Sequence, residues 1–287
     1  MKFPKIYLEI TNVCNLSCTF CRGTSRDKAF MDVDTFRRYA EALRPHTDYL
    51  YLHVMGEPLL HPQLDRMIDT AADMGFRVCL TTNGTLLPDR MAMLLARTEA
   101  IYKVSVSLHS SMANGEGRMG QSFDGYIDGC IAAAEALGRH GVIAALRLWN
   151  EDNPEAVGKA QNGRNGEVLA KLHTRFPDPW TPNRRGYKLG EGVYLEWGEL
   201  FDWPTTDGSL PDYGPRSHCF AMKDHVAVLC DGRVLPCCID CDGVMPLGNL
   251  NEKSLSDILA DVPAQDFLRS LTANHLNYPL CRHCNFK

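Results

Sequence analysis

The residues whose spacing first suggests chemistry are three cysteines near the N-terminus. Cys14, Cys18 and Cys21 are separated by gaps of three and two residues. Three thiolates from one loop can bind three irons of a 4Fe–4S cubane and leave the fourth iron without a protein ligand. A small molecule can bind and react at such an open position. A zinc loop is the alternative, although zinc sites usually take four protein ligands in paired spacing.

A second group of cysteines lies near the C-terminus, where seven occur between positions 219 and 284 of the 287-residue chain. Twelve cysteines in all are too many for packing alone, and a secreted disulfide protein would be smaller and would carry a signal peptide. Clustered cysteines therefore indicate metal ligands in a reducing compartment. The two isolated cysteines, Cys79 and Cys130, are expected to be buried small hydrophobic residues.

Short apolar runs alternate with amphipathic stretches over the first two thirds of the chain. Strands are predicted at 6–11, 49–54, 77–82, 103–108, 142–149 and 193–197. Helices are predicted at 34–43, 61–74, 124–139 and 166–176. The alternation predicts an α/β fold with a parallel sheet, and six strands favour a partial (β/α)6 TIM-type barrel over a closed barrel of eight. Active-site residues of such folds lie at the carboxyl ends of the strands.

The remainder of the chain is less regular. Apart from the helix at 166–176, the Pro- and Trp-rich residues 151–215 are predicted to be mostly loop and linker. A turn at 231–233 between two apolar runs predicts a β-hairpin, and a short helix capped by Ser254 follows at 254–259. We therefore expect a core barrel at residues 1–200 and a small cysteine-rich domain at residues 201–287.

Composition and charge limit the partners of the protein. The net charge is −5, and the chain contains no Lys/Arg run of the kind that follows phosphates, so no nucleic-acid partner is expected. The longest apolar stretches, such as 142–148, are too short to cross a bilayer. The N-terminus lacks the features of a signal peptide. We expect a cytoplasmic protein without a membrane partner.

The cysteine loop directly after the first predicted strand resembles the signature of the radical S-adenosylmethionine (SAM) superfamily. In that family the three cysteines hold a 4Fe–4S cluster that cleaves SAM reductively to a 5′-deoxyadenosyl radical, which then abstracts a substrate hydrogen. The resemblance implies these roles for Cys14, Cys18 and Cys21, and it places the Phe20 side chain over the cluster and the Phe20 backbone in contact with the adenine of SAM. It also implies an external one-electron reductant of the flavodoxin or ferredoxin type.

Later motifs continue the resemblance, one strand at a time. Met55-Gly56-Glu57-Pro58 resembles the Gly-Gly-Glu segment that binds the methionine amino group, with Met55 in place of the first glycine. Thr81-Thr82-Asn83-Gly84 resembles the Thr-Asn-Gly motif near the SAM ribose. The residues that the resemblance assigns to SAM are Phe20, Gly56, Glu57, Thr82, Asn83, Ser107, His109 and Arg147. Each motif alone also fits an ordinary turn, but all of them follow successive predicted strands.

The C-terminal cysteines resemble the Twitch domain, a shortened form of the SPASM domain. Twitch proteins bind one auxiliary 4Fe–4S cluster, typically through four cysteines. The ligands implied by the resemblance are Cys219, Cys237, Cys281 and Cys284. The neighbouring Cys238 is the rival of Cys237, since only one of two adjacent side chains is expected to point inward. A zinc site closed by four thiolates is the structural alternative.

Candidate substrate residues lie at positions 191–202, where carboxylates stand beside aromatic side chains. Glu196, Trp197 and Asp202 suit a cationic or polyhydroxylated planar ligand, although an ordinary amphipathic rim would have the same composition. No N-terminal extension precedes the first strand as a peptide-recognition domain, so a small polar substrate is expected, such as an amino-alcohol or a modified nucleobase. The segments 7–12 and 53–57 give a weaker resemblance to queuine lyase. The alternatives are a ribosomal-peptide maturase and a redox or metal-binding module without turnover.

Overall fold

The computed structural model describes residues 1–149 and 163–286. Within these ranges the strands form one mixed sheet. They are β1 (Lys5–Leu8), β2 (Tyr49–Tyr51), β3 (Arg77–Thr82), β4 (Ile101–Ser107), β5 (Ile143–Trp149), β6 (Thr181–Asn183), β7 (Gly186–Gly190), β8 (Val193–Gly198), β9 (His225–Val228), β10 (Arg233–Leu235) and β11 (Gly248–Asn249). The strand order is β11-β10-β9-β1-β2-β3-β4-β5-β8-β7-β6.

Helices cover one face of this sheet and continue into the C-terminal region. They are α1 (Val33–Leu43), α2 (Leu64–Asp73), α3 (Leu87–Leu95), α4 (Glu116–Met119), α5 (Phe123–Arg139), α6 (Asn165–Arg175), α7 (Leu255–Ala260), α8 (Val262–Thr272) and α9 (Pro279–Arg282). In the described part of the chain, no helix is both long and apolar enough to span a bilayer.

The six predicted strands are all present and lie side by side in parallel as β1, β2, β3, β4, β5 and β8. The α/β fold with a partial barrel of parallel strands is therefore confirmed. The four predicted helices correspond to α1, α2, α5 and α6, and no end differs from its predicted position by more than three residues. Two N-terminal caps explain where α1 and α5 begin, because Asp32 accepts from Thr35 N at 2.8 Å and Ser122 accepts from Gly125 N at 3.1 Å.

The parallel strands have one apolar and one polar face, since successive side chains alternate between the two. Residues such as Leu50, Val104 and Leu146 are fully buried on the apolar face, in the same core cluster as side chains of the helices. The opposite face, called the inner face here, carries polar residues in matching register. They are Tyr7, Tyr51, Cys79, Lys103, Ser107, Arg147 and Glu196. The inner face therefore carries several side chains that are able to form hydrogen bonds with a polar molecule.

Part of the region predicted to be loop and linker instead forms a second hairpin. β6 pairs with β7, and β7 pairs antiparallel with β8 at the sheet edge. Gly186 permits this approach, because a Cβ there would lie 2.3 Å from the carbonyl oxygen of Leu195. Residues 151–162 of the same region lie outside the described ranges. Helix α3 was not predicted either, and its N-terminus has no side-chain cap.

The C-terminal hairpin and short helix are confirmed as β9–β10 and α7, whose cap Ser254 accepts from Asp257 N at 3.2 Å. β9 also pairs in parallel with β1, so the hairpin continues the sheet of the core. This pairing places the C-terminal cysteines beside the barrel. The boundary between residues 200 and 201 stays a prediction.

Candidate functional site

The three N-terminal cysteines lie in a loop that follows β1 and is held by asparagine side chains. Asn114 donates one hydrogen bond from Nδ2 to Cys18 Sγ at 3.1 Å and another to the Ser110 carbonyl at 2.9 Å. Its Oδ1 accepts from Ser17 N at 3.3 Å. Asn114 was missed by sequence reasoning because it is distant in the chain and belongs to no motif. An amide that donates to Cys18 suits a thiolate.

The chemistry of this loop fits an iron–sulfur cluster. The cysteines of the described chain are all free thiols. Partial burial, together with the smaller effects of the nearby Glu57, Cys18 and Cys21, raises the pKa of Cys14 to about 11. Without a cation, three adjacent thiolates would therefore be unfavourable. Metal binding removes this obstacle because it deprotonates thiols and compensates their charge.

The Gly56–Glu57 segment packs directly on the backbone of the cluster loop. Gly56 has φ of +79°, and a Cβ there would lie 2.5 Å from the carbonyl oxygen of Thr11 and 2.9 Å from the Cα of Asn12. The next residue, Glu57, donates from its backbone N to the Val13 carbonyl at 2.8 Å. Only glycine allows this contact without strain, so Gly56 brings Glu57 beside the loop that carries Cys14.

Glu57 is a buried carboxylate that joins the ends of β2 and β3. It accepts from Asn83 N at 2.7 Å and from Leu59 N at 3.0 Å. Burial raises the pKa of Glu57 to about 7. A cationic ligand group beside the carboxylate would favour its ionised form. This environment fits the predicted role of Glu57 toward the amino group of SAM, and that role stays a prediction.

The predicted Thr82–Asn83 pair lies next to both Glu57 and the cluster loop. Asn83 Nδ2 donates to Asn15 Oδ1 at 2.9 Å and lies 3.9 Å from Cys14 Sγ. The buried Thr82 accepts from Gly84 N at 3.0 Å, which shapes the turn after β3. The structure thus brings the ends of β2 and β3 to the cluster loop, as the parallel-sheet rule requires.

A cluster of aromatic side chains lies on the other side of the loop, at the ends of β4 and β5. Phe20 contacts Trp149 with ring centroids 4.5 Å apart and His109 at 5.2 Å. The His109 ring stacks on Trp149 at 3.9 Å, and its Nδ1 lies 3.3 Å from the Arg147 carbonyl. Burial lowers the pKa of His109 to about 3, so the ring is neutral. Trp149 was not predicted, although it is two residues beyond Arg147 on the same face of β5.

Two more residues assigned to SAM, Ser107 and Arg147, lie side by side on the inner face. Arg147 is next to Glu196 on β8, and Glu196 forms an ion pair with Lys103 at 2.5 Å. Burial lowers the pKa of the Arg147 guanidinium, and the nearby Glu196 opposes that shift. This part of the inner face therefore places a paired carboxylate beside a buried guanidinium.

The three candidate substrate residues are not brought together. Glu196 lies on the inner face, whereas Trp197, its neighbour in β8, lies on the opposite face with Val193. Asp202 is bound to the C-terminal segment, since its Oδ2 accepts from Asn285 Nδ2 at 3.1 Å. Adjacent strand residues point in opposite directions, and of the three only Glu196 remains a candidate for the inner face.

The four predicted auxiliary ligands do lie near one another. Burial, together with the smaller effects of the neighbouring Cys219, Cys237 and Cys284, raises the pKa of Cys281 to about 12. Arg216 donates to Cys284 Sγ at 3.0 Å. Four mutually close, partly buried thiols with a guanidinium beside them suit a group that takes up thiolate charge, and they fit an iron–sulfur cluster.

Other cysteines have separate surroundings. Cys238 is packed against Tyr7 on the barrel side, and its thiol is hydrogen-bonded to that tyrosine. Cys230 donates its thiol proton to the Glu9 carbonyl at 3.1 Å. Cys79 and Cys130 are each 1% exposed, as expected for packed residues.

The fold and the two cysteine groups define an enzyme class. A family model described as the radical SAM superfamily matches residues 8–159, and one described as the SPASM iron–sulfur cluster-binding domain matches residues 219–285. The chain belongs to the radical SAM superfamily. It is an enzyme that uses SAM, a SAM-binding 4Fe–4S cluster, auxiliary iron–sulfur binding and a reductant, so it is not a metal-binding module without turnover.

The chain also resembles individual proteins and solved structures. A protein of Pyrococcus furiosus named tungsten-containing aldehyde ferredoxin oxidoreductase cofactor-modifying protein is 36% identical over 98% of this chain and 87% of its own. An archaeal S-adenosylmethionine-dependent nucleotide dehydratase of Thermoplasmatales strain ISO4-H5 is 24% identical over 63% of this chain and 68% of its own. The structure of BtrN with AdoMet and 2-DOIA has a TM-score of 0.61 at 20% identity, covering 99% and 94% of the two chains. This last likeness concerns the fold alone.

Proposed function

We propose that this radical SAM enzyme abstracts hydrogen from a small polar substrate bound on the inner face of the barrel. The observation that carries the proposal is His53, whose Nδ1 atom is buried and has no hydrogen-bond partner among the described residues. Buried polar atoms are almost always paired in folded proteins. An unpaired one beside a polar face is therefore a candidate contact for a ligand.

The side chains around His53 indicate the chemical character of this ligand. Its ring contacts Tyr7 edge-on at 5.3 Å and Tyr51 at 6.1 Å. Burial, together with the smaller effect of the positive charges of Arg147 and Lys5, lowers the pKa of His53 to about 3. The imidazole is thus neutral and offers one donor and one acceptor. Aromatic rings beside it supply a surface for a planar group.

The inner face also carries the charged side chains of Arg147, Lys103 and Glu196. Arg147 can form paired hydrogen bonds with a carboxylate, a phosphate or a carbonyl group. Glu196 is shared between its ion pair with Lys103 and the neighbouring Arg147, so it compensates the positive charge of Arg147 only in part. We therefore infer a planar substrate with an anionic or carbonyl group, of the kind found in nucleotides and cofactor precursors. The modified nucleobase expected from the sequence belongs to this class.

The names of the relatives support a small substrate. They include a cofactor-modifying protein, a nucleotide dehydratase and an AdoMet-dependent haem synthase of Methanosarcina barkeri. A peptide substrate is the second candidate, because SuiB of Streptococcus suis bound to its precursor peptide has the same fold, with a TM-score of 0.58. At 16% identity that likeness concerns the fold alone, so the small molecule is favoured.

Each part of the site has a proposed role. Cys14, Cys18 and Cys21 hold the cluster, which with SAM supplies the 5′-deoxyadenosyl radical. Glu57 orients the amino group of SAM, and Phe20 lies against the adenine. The remaining proposed SAM contacts are Gly56, Thr82, Asn83, Ser107 and His109. Arg147, which the resemblance also assigns to SAM, is proposed to bind the substrate instead. These residues surround the cluster loop at one end of the barrel, and the inner face holds the substrate below them.

The C-terminal region has a proposed role of its own. Residues 201–287 bind one auxiliary 4Fe–4S cluster, with Cys219, Cys237, Cys281 and Cys284 as the ligands. We propose a flavodoxin or ferredoxin as the reductant and the reducing cytoplasm as the compartment, since exposed thiols such as Cys14 and Cys21 persist there.

Isotope transfer tests the proposed substrate class. The reconstituted enzyme receives SAM, dithionite and a cell extract from D2O-grown cells, separated into metabolites below about 1 kDa and peptides above it. We expect the metabolite fraction to place deuterium in 5′-deoxyadenosine, because the radical takes its hydrogen from the substrate. Mass spectrometry measures the label and identifies the consumed metabolite.

Two variants accompany the experiment. Cys18→Ala removes a cluster ligand and should abolish all 5′-deoxyadenosine. His53→Phe preserves an aromatic ring but removes the unpaired nitrogen, and it should retain substrate-free cleavage of SAM while losing deuterium transfer. Label from the peptide fraction alone, or full transfer by His53→Phe, would contradict the proposal.

A further inference from the structure

The histidine that opens β9 has a buried ring without an ordinary hydrogen-bond partner. His225 is 7% exposed, and neither ring nitrogen has such a partner among the described residues. Its neighbouring carboxylate, Asp224, lies 3.6 Å from Nδ1 and already forms an ion pair with Lys5 at 2.8 Å. Leaving a buried imidazole N–H unpaired is unfavourable. The ring therefore requires another acceptor nearby.

Two sulfur atoms are in position to be that acceptor. A ring nitrogen of His225 and the Sγ atoms of Cys237 and Cys238 all lie within 4.8 Å of one another. The backbone maintains this arrangement. Met222 N lies 2.9 Å from the His225 carbonyl oxygen and 3.2 Å from that of Pro236, which ties the start of β9 to the residue before Cys237.

We propose that the ring N–H of His225 donates a hydrogen bond to the sulfur of Cys237 when Cys237 ligates the auxiliary cluster. The inference rests on the proposed ligand set and is independent of the substrate. An iron-bound thiolate carries negative charge, and hydrogen bonds to charged acceptors are stronger than those between neutral groups. A neutral imidazole always has one N–H, so donation needs no change of protonation.

The alternative is a single metal ion held by His225, Cys237 and Cys238. Their mutual distances permit it, because zinc binds sulfur at about 2.3 Å and nitrogen at about 2.0 Å. It would take Cys237 away from the other three cysteines that lie near it. Four cysteines satisfy the four irons of a cubane, so the imidazole remains as a donor and not as a ligand.

The hydrogen bond has a consequence for electron transfer. Reduction adds negative charge to the cluster, and a donor to a ligand sulfur stabilises the reduced form more than the oxidised form. His225 therefore makes the auxiliary cluster easier to reduce. His225 is a positioning residue in this role, because it acts through Cys237.

Redox titration of the full reconstituted chain tests the proposal. In His225→Phe we expect the auxiliary cluster to become harder to reduce, with iron content unchanged, and His225→Gln should recover part of the shift because its amide can donate. The N-terminal cluster, recognised by the change of its EPR signal when SAM is added, serves as the internal reference. The matched control His275→Phe replaces an exposed histidine of the same region and should shift nothing.

Pulsed EPR with ¹⁵N-histidine-labelled protein provides a second measurement. A weak nitrogen coupling to the reduced auxiliary cluster, absent in His225→Phe, is expected of a hydrogen bond. An unchanged potential in His225→Phe with full iron content would overturn the proposal. It would also be overturned by a strong coupling typical of direct ligation, by the loss of about four irons per chain in that variant, or by stoichiometric zinc in the wild-type protein.

Discussion

Replacing Gly56 by alanine tests whether the site depends on the close approach of two backbone segments. The added Cβ would meet the Thr11 carbonyl oxygen at 2.5 Å and the Asn12 Cα at 2.9 Å. These are backbone atoms, which cannot rotate away. Gly141 is a matched control, because its φ of +81° is close to the +79° of Gly56, while a Cβ added there would have no heavy atom within 4 Å.

Both variants are destabilised by the left-handed backbone conformation, but only Gly56→Ala also creates a steric clash. A non-glycine residue in the left-handed region costs about 1–2 kcal/mol at either position. Overpacking adds about 1–3 kcal/mol, and it applies to Gly56 alone. We therefore expect Gly141→Ala to lower the free energy of unfolding by about 1 kcal/mol and Gly56→Ala by about 3 kcal/mol.

Urea unfolding of the anaerobically reconstituted chain measures this difference. We also expect Gly56→Ala to lose part of its SAM-induced EPR change, because the added methyl group pushes Glu57 away from the cluster loop. Gly141→Ala should keep that change in full. Equal destabilisation of the two variants, or an unaltered SAM response in Gly56→Ala, would refute the packing argument.

Three further predictions concern the two cluster sites and the barrel. The affinity for SAM should fall as the pH drops below about 7, because the raised pKa of Glu57 then leaves its carboxyl group protonated; Glu57→Gln should bind weakly with a flatter profile in calorimetry. Cys237→Ser should lose about four irons per chain and Cys238→Ser none, as iron analysis will show, and the reverse result would exchange the two ligands. Lys103→Met should destabilise the fold by about 1 kcal/mol in urea unfolding, because it removes the ion pair of the half-buried Glu196 but leaves Arg147 beside that carboxylate, and an unchanged free energy of unfolding would contradict this reasoning.

Much of the fold could be predicted because its causes are local. The buried strands appear in the sequence as short apolar runs, and the helices between them have periodic apolar faces and recognisable caps such as Asp32 and Ser122. The second hairpin could not be predicted in this way. β6 and β7 are short, have no fully buried residues and contain Pro182, and they become strands only because β8 offers an edge for pairing.

Some residues of the candidate site could likewise be predicted from the sequence, and others could not. The loop of Cys14, Cys18 and Cys21 can be read from spacing because all three ligands belong to one segment. Asn114 and Trp149 could not be found, since each joins the loop through contacts across the barrel. Composition alone groups Glu196 with Trp197, whereas the alternation of a strand sends the two side chains to opposite faces.

The sequence by itself determined the class of enzyme, because thiol spacing and strand–helix alternation are properties of consecutive residues. Tertiary structure decided what surrounds the reacting groups. The pairing of β9 with β1 places His225 and Cys237 next to the barrel, and the register of β5 with β8 sets Arg147 beside Glu196. These neighbours are far apart in the chain, and only the buried, close-packed interior selects which polar groups meet and which are left for a ligand.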